Sequence, residues 1–382
     1  MNKKIAYQPS ISRENFVFSI IFFGCFGLMA HIMGVSHLLM TLMRTANDLL
    51  INVCFYIMAI SVLAGAISGL FSEFGVIALV HHILSRFMKP VYDLPGAASL
   101  GVLNCYLSDN PSILTLTKEA NFLNYFKQYQ LPALTNLGTS FGMGLIITTT
   151  MVGLDVPGAV TAALIGNVGA IVGSIISVRM MLYYTRKQYG TTALVENEEV
   201  SQLPDNTRIV RQGTYGTRLM EALLDGGKVG VQTGMAIIPG VITICSIVML
   251  LTNGPSEAGT YTGGLNEGIP LLPYLGDHLS FIIQPLFGFS FKEALAVPIT
   301  ALGSAGAAIG LVGQMSKNGL VQGNDIAVFT AICMCWSGYL STHIAMMDAL
   351  GTKEMTGKAI LSHTIGGICA GISAHWIYLL LG

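Results

Sequence analysis

Seven long apolar stretches decide what this chain can fold into: 16–36, 48–72, 130–152, 157–184, 226–252, 325–347 and 358–381. A helix needs about 20 apolar residues to cross a hydrocarbon core of roughly 30 Å. Lipid offers the backbone no hydrogen bonds, so an unbroken run of that length spans as a helix. Only 10% of the 382 residues are charged and 52% are hydrophobic, against about 25% charged in soluble domains. The expected fold class is an all-α, multi-pass membrane protein. A net charge of −1 gives no basic face for nucleic acid. The seven cysteines lie in apolar runs without a CxxC pair and read as small hydrophobes.

Two further apolar stretches, 95–118 and 291–318, are interrupted near their middles by polar or small residues. Segment 73–92 mixes apolar and basic residues and suits a helix lying at the membrane interface. Lys and Arg in short loops orient the whole. Lys3, Lys4 and Arg13 place the N-terminus inside, ahead of a retained signal-anchor helix. If the interrupted stretches re-enter instead of crossing, Arg86, Lys89, Lys118, Lys127, Lys353, Lys358 and the basic loop 185–225 also fall inside. Loops 153–156 and 253–280 fall outside and contain no Lys or Arg; Arg44, Lys292 and Lys317 are exceptions. The expected localisation is the cytoplasmic (inner) membrane, with about seven transmembrane helices plus two re-entrant helical hairpins.

The layout divides into a tail and anchor (1–47), a first repeat (48–184, hairpin 95–122), a polar cytoplasmic loop (185–225) and a second repeat (226–382, hairpin 291–319). Each repeat runs span, interfacial segment, hairpin, span, span, and the crossings between them make the second inverted relative to the first. GNVGAIVGS at 166–174 answers GGICAGIS at 366–373, both small-residue faces of the kind that pack closely in lipid. Inverted repeats with discontinuous helices near the midplane are characteristic of secondary transporters.

The most polar tetrapeptide of the first hairpin is Ser108-Asp109-Asn110-Pro111. Its arms, 96–107 and 113–122, each reach about 15–18 Å at about 1.5 Å per residue, half of a bilayer core. The tip therefore falls near the centre. Pro111 lacks an N–H and disfavours helix at Asn110, so it suits the start of the second arm. Backbone groups freed there must face protein, water or solute, and the second arm's N–H groups suit an electron-rich ligand. An intramembrane aspartate is costly and functional by default. The plainer alternative is a polar turn at the membrane surface. The second tip lies within ITALGSAGAAIG (299–310), where the break is Gly303-Ser304-Ala305-Gly306 with Thr300 and Gln314 on the arms, and glycine lets a ligand or a partner hairpin approach; tight packing alone is the alternative.

The spans that follow each hairpin carry matched polar faces. Thr135, Asn136, Thr139 and Ser140 lie in the first; Ser337, Ser341, Thr342 and His343 lie in the second, with Asn136/Ser140 and Ser337/Ser341 each spaced i, i+4. Taken singly, such hydroxyls often bond only their own helix. His343 and His363 are candidates for proton relay or for plain buried packing. Asp348 beside Lys353 reads as solvated, and Asn167 and Trp336 as packing elements. No Walker motif, HExxH, nucleophile elbow or ligand-spaced Cys/His cluster is present, so ATP hydrolysis, other enzymatic chemistry and a bound metal are not expected.

This order of parts resembles the nucleoside-recognition (gate) domain family, which includes the concentrative nucleoside transporters. Ser108-Asp109-Asn110-Pro111 is similar to the family's first hairpin tip. Tyr339-Leu340-Ser341-Thr342, followed by Ile344-Ala345, looks like the end of its Phe-x-Asn-Phe-Ser-Ser run. The resemblance covers about 95–184 and 290–381. It implies solute contacts from Asp109, Asn110, Ser341 and Thr342, and a cation site from the unwound first hairpin with Asn136 and Thr139. Gly338 stands near the family's substrate-binding asparagine, which removes one hydrogen-bond partner for a ribose.

The expected function is a secondary active transporter of a small polar organic solute, with a nucleoside as the leading candidate. Ser108, Asp109, Asn110, Thr300, Ser304, Ser337, Ser341 and Thr342 are its candidate substrate contacts. Asp109, Asn136, Thr139, Ser140 and His343 are its candidate cation-coupling residues. Na⁺ or H⁺ is the coupling ion, with no other cofactor; the partners are the solute and the bilayer, and homo-oligomerisation is left open. A membrane scaffold of the same family is the alternative, and a passive channel the third reading. A cysteine at position 109 should react with a membrane-impermeant maleimide more slowly than a loop cysteine in at least one of the inward- and outward-facing states; loop-like rates in both would rule out a re-entrant tip.

Overall fold

The computed structural model describes residues 9–110, 112–113, 123, 125–195, 210–256 and 258–382. Among these there is no β-strand. The first half comprises α1 (Arg13–Met33), α2 (Val35–Asp48), a π-helical turn (Leu49–Cys54) leading into α3 (Phe55–Glu73), α4 (Val76–Tyr92), α5 (Ala98–Leu107), α6 (Ala133–Thr139), α7 (Gly144–Val152) and α8 (Ala159–Tyr189). The second comprises α9 (Tyr215–Gly240), a π-helical turn (Val241–Cys245) leading into α10 (Ser246–Thr252), α11 (Leu271–His278), α12 (Ser280–Phe287), α13 (Ala296–Gly303), α14 (Ala305–Lys317), α15 (Gly323–Cys335), α16 (Tyr339–Ala349) and α17 (Thr356–Leu381).

Among the described residues, five helical segments are long and apolar enough to span: Arg13–Met33, Val35–Glu73, Ala159–Tyr189, Tyr215–Thr252 and Lys353–Leu381. A sixth is obtained if Ser280–Phe287 and Lys292–Gly303, bent by 81°, count as one. Two of the seven expected continuous spans are corrected. Stretch 130–152 breaks between α6 and α7, where Met143 takes a left-handed φ of 55°, and 325–347 breaks between α15 and α16, where Gly338 has φ 65°. Both breaks sit inside stretches whose hydropathy stays high despite the polar residues beside them, so hydropathy alone does not reveal them. The expected interfacial helix at 73–92 is α4, and α11–α12 occupy the corresponding place in the second half. Pro111 and most of the first hairpin's second arm lie outside the described residues.

Glycines set how closely the long helices approach. A Cβ on Gly226 of α9 would lie 2.2 Å from the Gly65 carbonyl oxygen of α3, and one on Gly230 would lie 2.2 Å from the Ser61 oxygen. The two small-residue motifs, on α8 and α17, pack against each other: a Cβ on Gly173 would fall 2.4 Å from the Gly366 oxygen. Without a hydrophobic drive between helices in lipid, such backbone proximity is what holds them together.

Polar anchors fix the ends. Glu73, at the end of α3, is buried and accepts from Arg211 Nη1 (2.8 Å) and Arg218 Nε (2.7 Å). Asp93, after α4, pairs with Lys89 and with Arg186 of α8. Burial alone would raise the Asp93 carboxyl, but Lys89, Arg186 and Arg179 hold it below the usual range. That contribution is present at neutral pH and fades as pH falls below the ordinary carboxylate value of about 4. Two exceptions to the charge rule have local partners: Arg44 Nη1 donates to the Gly263 oxygen (2.9 Å), and Lys292 lies 3.4 Å from Asp277. Lys317 has no ion-pair partner among the described residues.

Neighbouring glycines of α9 provide a matched test. Gly226→Ala should cost about 1–3 kcal/mol through overpacking and lower the thermal unfolding midpoint in detergent. Gly227→Ala, whose Cβ would meet nothing nearer than 3.6 Å, should leave the midpoint unchanged or raise it slightly.

Candidate functional site

Four chain breaks converge. α5 ends at Ser108, α6 and α7 are separated by Ser140–Met143, α13 and α14 by Ser304, and α15 and α16 by Trp336–Gly338. Each break frees carbonyls and N–H groups that lipid cannot satisfy. Asn110, buried at the first tip, donates its amide to the Ser337 carbonyl (2.5 Å) and lies 3.5 Å from Thr342 Oγ1. Its own carbonyl accepts from Cys105 Sγ (3.3 Å). The Gly338 N–H donates to the Ala301 carbonyl (3.1 Å), joining the second hairpin to the break in 325–347. Gly142 has to be glycine: a Cβ there would sit 1.3 Å from Asn110 Oδ1.

Polar atoms with unused capacity remain where the breaks meet. Asn110 Oδ1 and Ser337 Oγ are buried without a partner among the described residues, and both lie against Gly142. The Asp109 carboxylate accepts from the Asn110 N–H (2.7 Å) and its carbonyl from the Ser112 N–H (3.0 Å), and Asp109 pairs with no cation among the described residues. The structure thus brings together Asn110, Ser337 and Thr342 from the two halves, with Ser108 and Asp109 adjoining Asn110 in the chain. The side chain of Ser341 lies outside the described residues. Thr300 and Ser304 stand apart in chemistry. The Thr300 hydroxyl donates to the Ala296 carbonyl (2.7 Å), and Ser304 Oγ caps α14 by accepting from the Ala307 N–H (3.2 Å).

Of the candidate cation residues, Asn136, Thr139 and Ser140 are fully buried on and just after α6. Thr139 and Ser140 donate to the Thr135 and Asn136 carbonyls (both 2.8 Å), so their oxygens keep lone pairs. Asn136 donates to Ser177 Oγ (2.9 Å) and to the Ala359 carbonyl (3.1 Å); its Oδ1, like Thr135 Oγ1, is buried and unpartnered. Among the described residues no hydrogen bond joins this group to Asp109.

The two histidines differ in role. His363 Nε2 contacts the Cys335 carbonyl (2.5 Å) and Nδ1 contacts Ser177 Oγ (2.9 Å). A carbonyl only accepts, so Nε2 carries the hydrogen, and the ring secures the freed end of α15. His343 donates Nδ1–H to the Tyr339 carbonyl (3.1 Å), leaving Nε2 as a buried, unpartnered acceptor. Asn167 links Tyr106, Thr148 and the Ala163 carbonyl, consistent with packing. Sequence reasoning missed Asp48, whose signal was an acid at the edge of an apolar run; it binds Asn52 and, on the second hairpin, Gln314.

No family model matches the sequence, and no curated protein matches it. Solved structures do. A doubly substituted CNTnw, a concentrative nucleoside transporter, in an outward-facing state is 12% identical, with TM-score 0.51 over 97% of this chain and 85% of that one. CNTnw in an inward-facing, substrate-bound state is 14% identical, with TM-score 0.53 over 85% and 75%. A single-substitution variant in an intermediate state is 14% identical, with TM-score 0.53 over 85% and 76%. The fold is that of an all-α membrane protein of the concentrative nucleoside transporter type.

The contact between Asn110 and Gly142 can be measured as an energetic coupling. Gly142→Ala should destabilise the wild-type protein strongly and the Asn110→Ala protein much less, because truncation makes room for the new methyl. Equal shifts of the unfolding midpoint in both backgrounds would place the tip elsewhere.

Proposed function

We propose that this protein is a secondary active transporter of a small polar organic solute, working by alternating access around the point where the four breaks meet. The observation that carries the reading is the Asn110 bridge. One hairpin tip hydrogen-bonds to the opposite half at Ser337 and Thr342 while leaving Asn110 Oδ1 and Ser337 Oγ unpartnered. Buried polar atoms are normally satisfied, so a solute bearing both donors and acceptors fits this place. A nucleoside is the leading solute. The similarity to CNTnw supports it, since that fold has been solved in outward-facing, intermediate and inward-facing substrate-bound states.

In this reading Ser108, Asp109, Asn110, Ser337, Ser341 and Thr342 contact the solute, with Thr300 and Ser304 shaping the second tip. Asp109 supplies the one formal charge at the first tip, bonding the solute or neutralising the coupling ion. Na⁺ would find oxygen ligands at Thr135, Asn136, Thr139 and Ser140; H⁺ would find His343 Nε2. The protein sits in the cytoplasmic membrane with its N-terminus inside, and belongs with the gate-domain proteins.

Uridine counterflow in proteoliposomes, wild type beside Asp109→Asn and with or without a Na⁺ or pH gradient, tests this. Counterflow in the wild type that the substitution abolishes is expected. Its absence with uridine removes that solute, and silence across a broad solute panel in a folded preparation would favour a scaffold.

A further inference from the structure

A cavity of about 600 Å³ lies away from the four breaks, between the start of α3, the end of α7 and the middle of α14. Thr150 is seven residues beyond Met143 and Gln314 ten beyond Ser304, which puts both about 10–15 Å along their helices from the meeting point. The volume falls within the roughly 300–1,000 Å³ of small-molecule sites.

Its wall is built to accept hydrogen bonds. Asp48 accepts one amide hydrogen from each of Asn52 (2.7 Å) and Gln314 (3.1 Å), which fixes both lining amides and leaves each its carbonyl oxygen and one N–H to offer. Gln314 Oε1 is buried without a partner among the described residues. Thr150, 2% exposed, is unpartnered too, although the neighbouring Thr149 hydroxyl donates to the Leu145 carbonyl (2.7 Å), as helix hydroxyls ordinarily do. Tyr56 adds a half-exposed ring. At the rim stand Asp155 and Lys317, both exposed and neither ion-paired among the described residues. An acyl chain would leave the buried oxygens unsatisfied, at a cost that favours a polar occupant.

We propose that this cavity is a second solute site, selective for neutral molecules of nucleoside size that carry several N–H and O–H donors and one flat face. Asp48 acts as its positioning residue, turning two amide oxygens toward the ligand. The identity of the solute rests on the transport reading above; the existence of the site does not depend on the central one.

Gly313 lines the cavity, and a Cβ there meets nothing within 4 Å, so Gly313→Cys can report occupancy. The experiment measures maleimide labelling of that cysteine in proteoliposomes with Cys25→Ala and Cys369→Ala, at increasing uridine; Ser316→Cys serves as a second reporter. Uridine should slow labelling, and should still do so with Asn110→Ala. Gln314→Leu and Thr150→Val should each raise the half-protecting concentration about tenfold, the order of one lost hydrogen bond, and 2′,3′-dideoxyuridine should protect more weakly. No protection at either reporter, protection lost with Asn110→Ala, or protection indifferent to both Gln314→Leu and Thr150→Val overturns the proposal. Uridine counterflow on the same vesicles separates its failure from that of the transport reading: counterflow without protection sinks the second site alone.

Discussion

A helix interrupted inside a bilayer leaves carbonyls and N–H groups that only protein, water or a solute can satisfy, and the arrangement around the four breaks follows from that demand. The Cys335 carbonyl is met by the His363 ring, the Ser337 carbonyl by the Asn110 amide and the Ala301 carbonyl by the Gly338 N–H. Asn136, from the first half, reaches the Ala359 carbonyl of the second. Much of this satisfaction crosses between halves, so neither half is complete alone. The atoms left over, Asn110 Oδ1 and Ser337 Oγ among them, are where a ligand can contribute what the protein does not.

Close helix packing supplies the frame for these breaks. Glycine and serine seams join α3 to α9 and α8 to α17, and their backbone contacts tolerate no added methyl at Gly226 or Gly173. The second hairpin leans on this frame at its two π-helical turns. Cys245 Sγ donates to the Ala307 carbonyl (3.0 Å), and Gly310 approaches so closely that a Cβ would lie 2.3 Å from Val53 Cγ1. π-Turns recur at functional places because they re-aim side chains without ending a helix. Here one of them begins beside Asp48, the residue that orients Asn52 and Gln314.

Much of the fold was legible in the sequence because lipid makes it so: length and hydropathy mark the long helices, and the small-residue motifs at 166–174 and 366–373 mark the faces that meet. The end of α5 was legible through Ser108-Asp109-Asn110, and the break between α13 and α14 through Gly303-Ser304. The breaks in 130–152 and 325–347 were not. Their serines and glycines are of a kind common in unbroken membrane helices, and the left-handed turn at Met143 uses a residue that rarely adopts it. Side-chain partners were hidden for a different reason. Thr300 and Ser304 belong to a residue class that binds solutes, but only the folded structure reveals that one bonds its own helix and the other caps α14.

The most direct measurement is an experimental structure of the protein in a lipid nanodisc with saturating uridine. The account predicts solute density bridging the two halves, with donors to Asn110 Oδ1 and contact with Ser337 and Thr342. Density confined to the lipid-facing surface, or Asn110 facing lipid while uninterrupted helices run through 130–152 and 325–347, would contradict it.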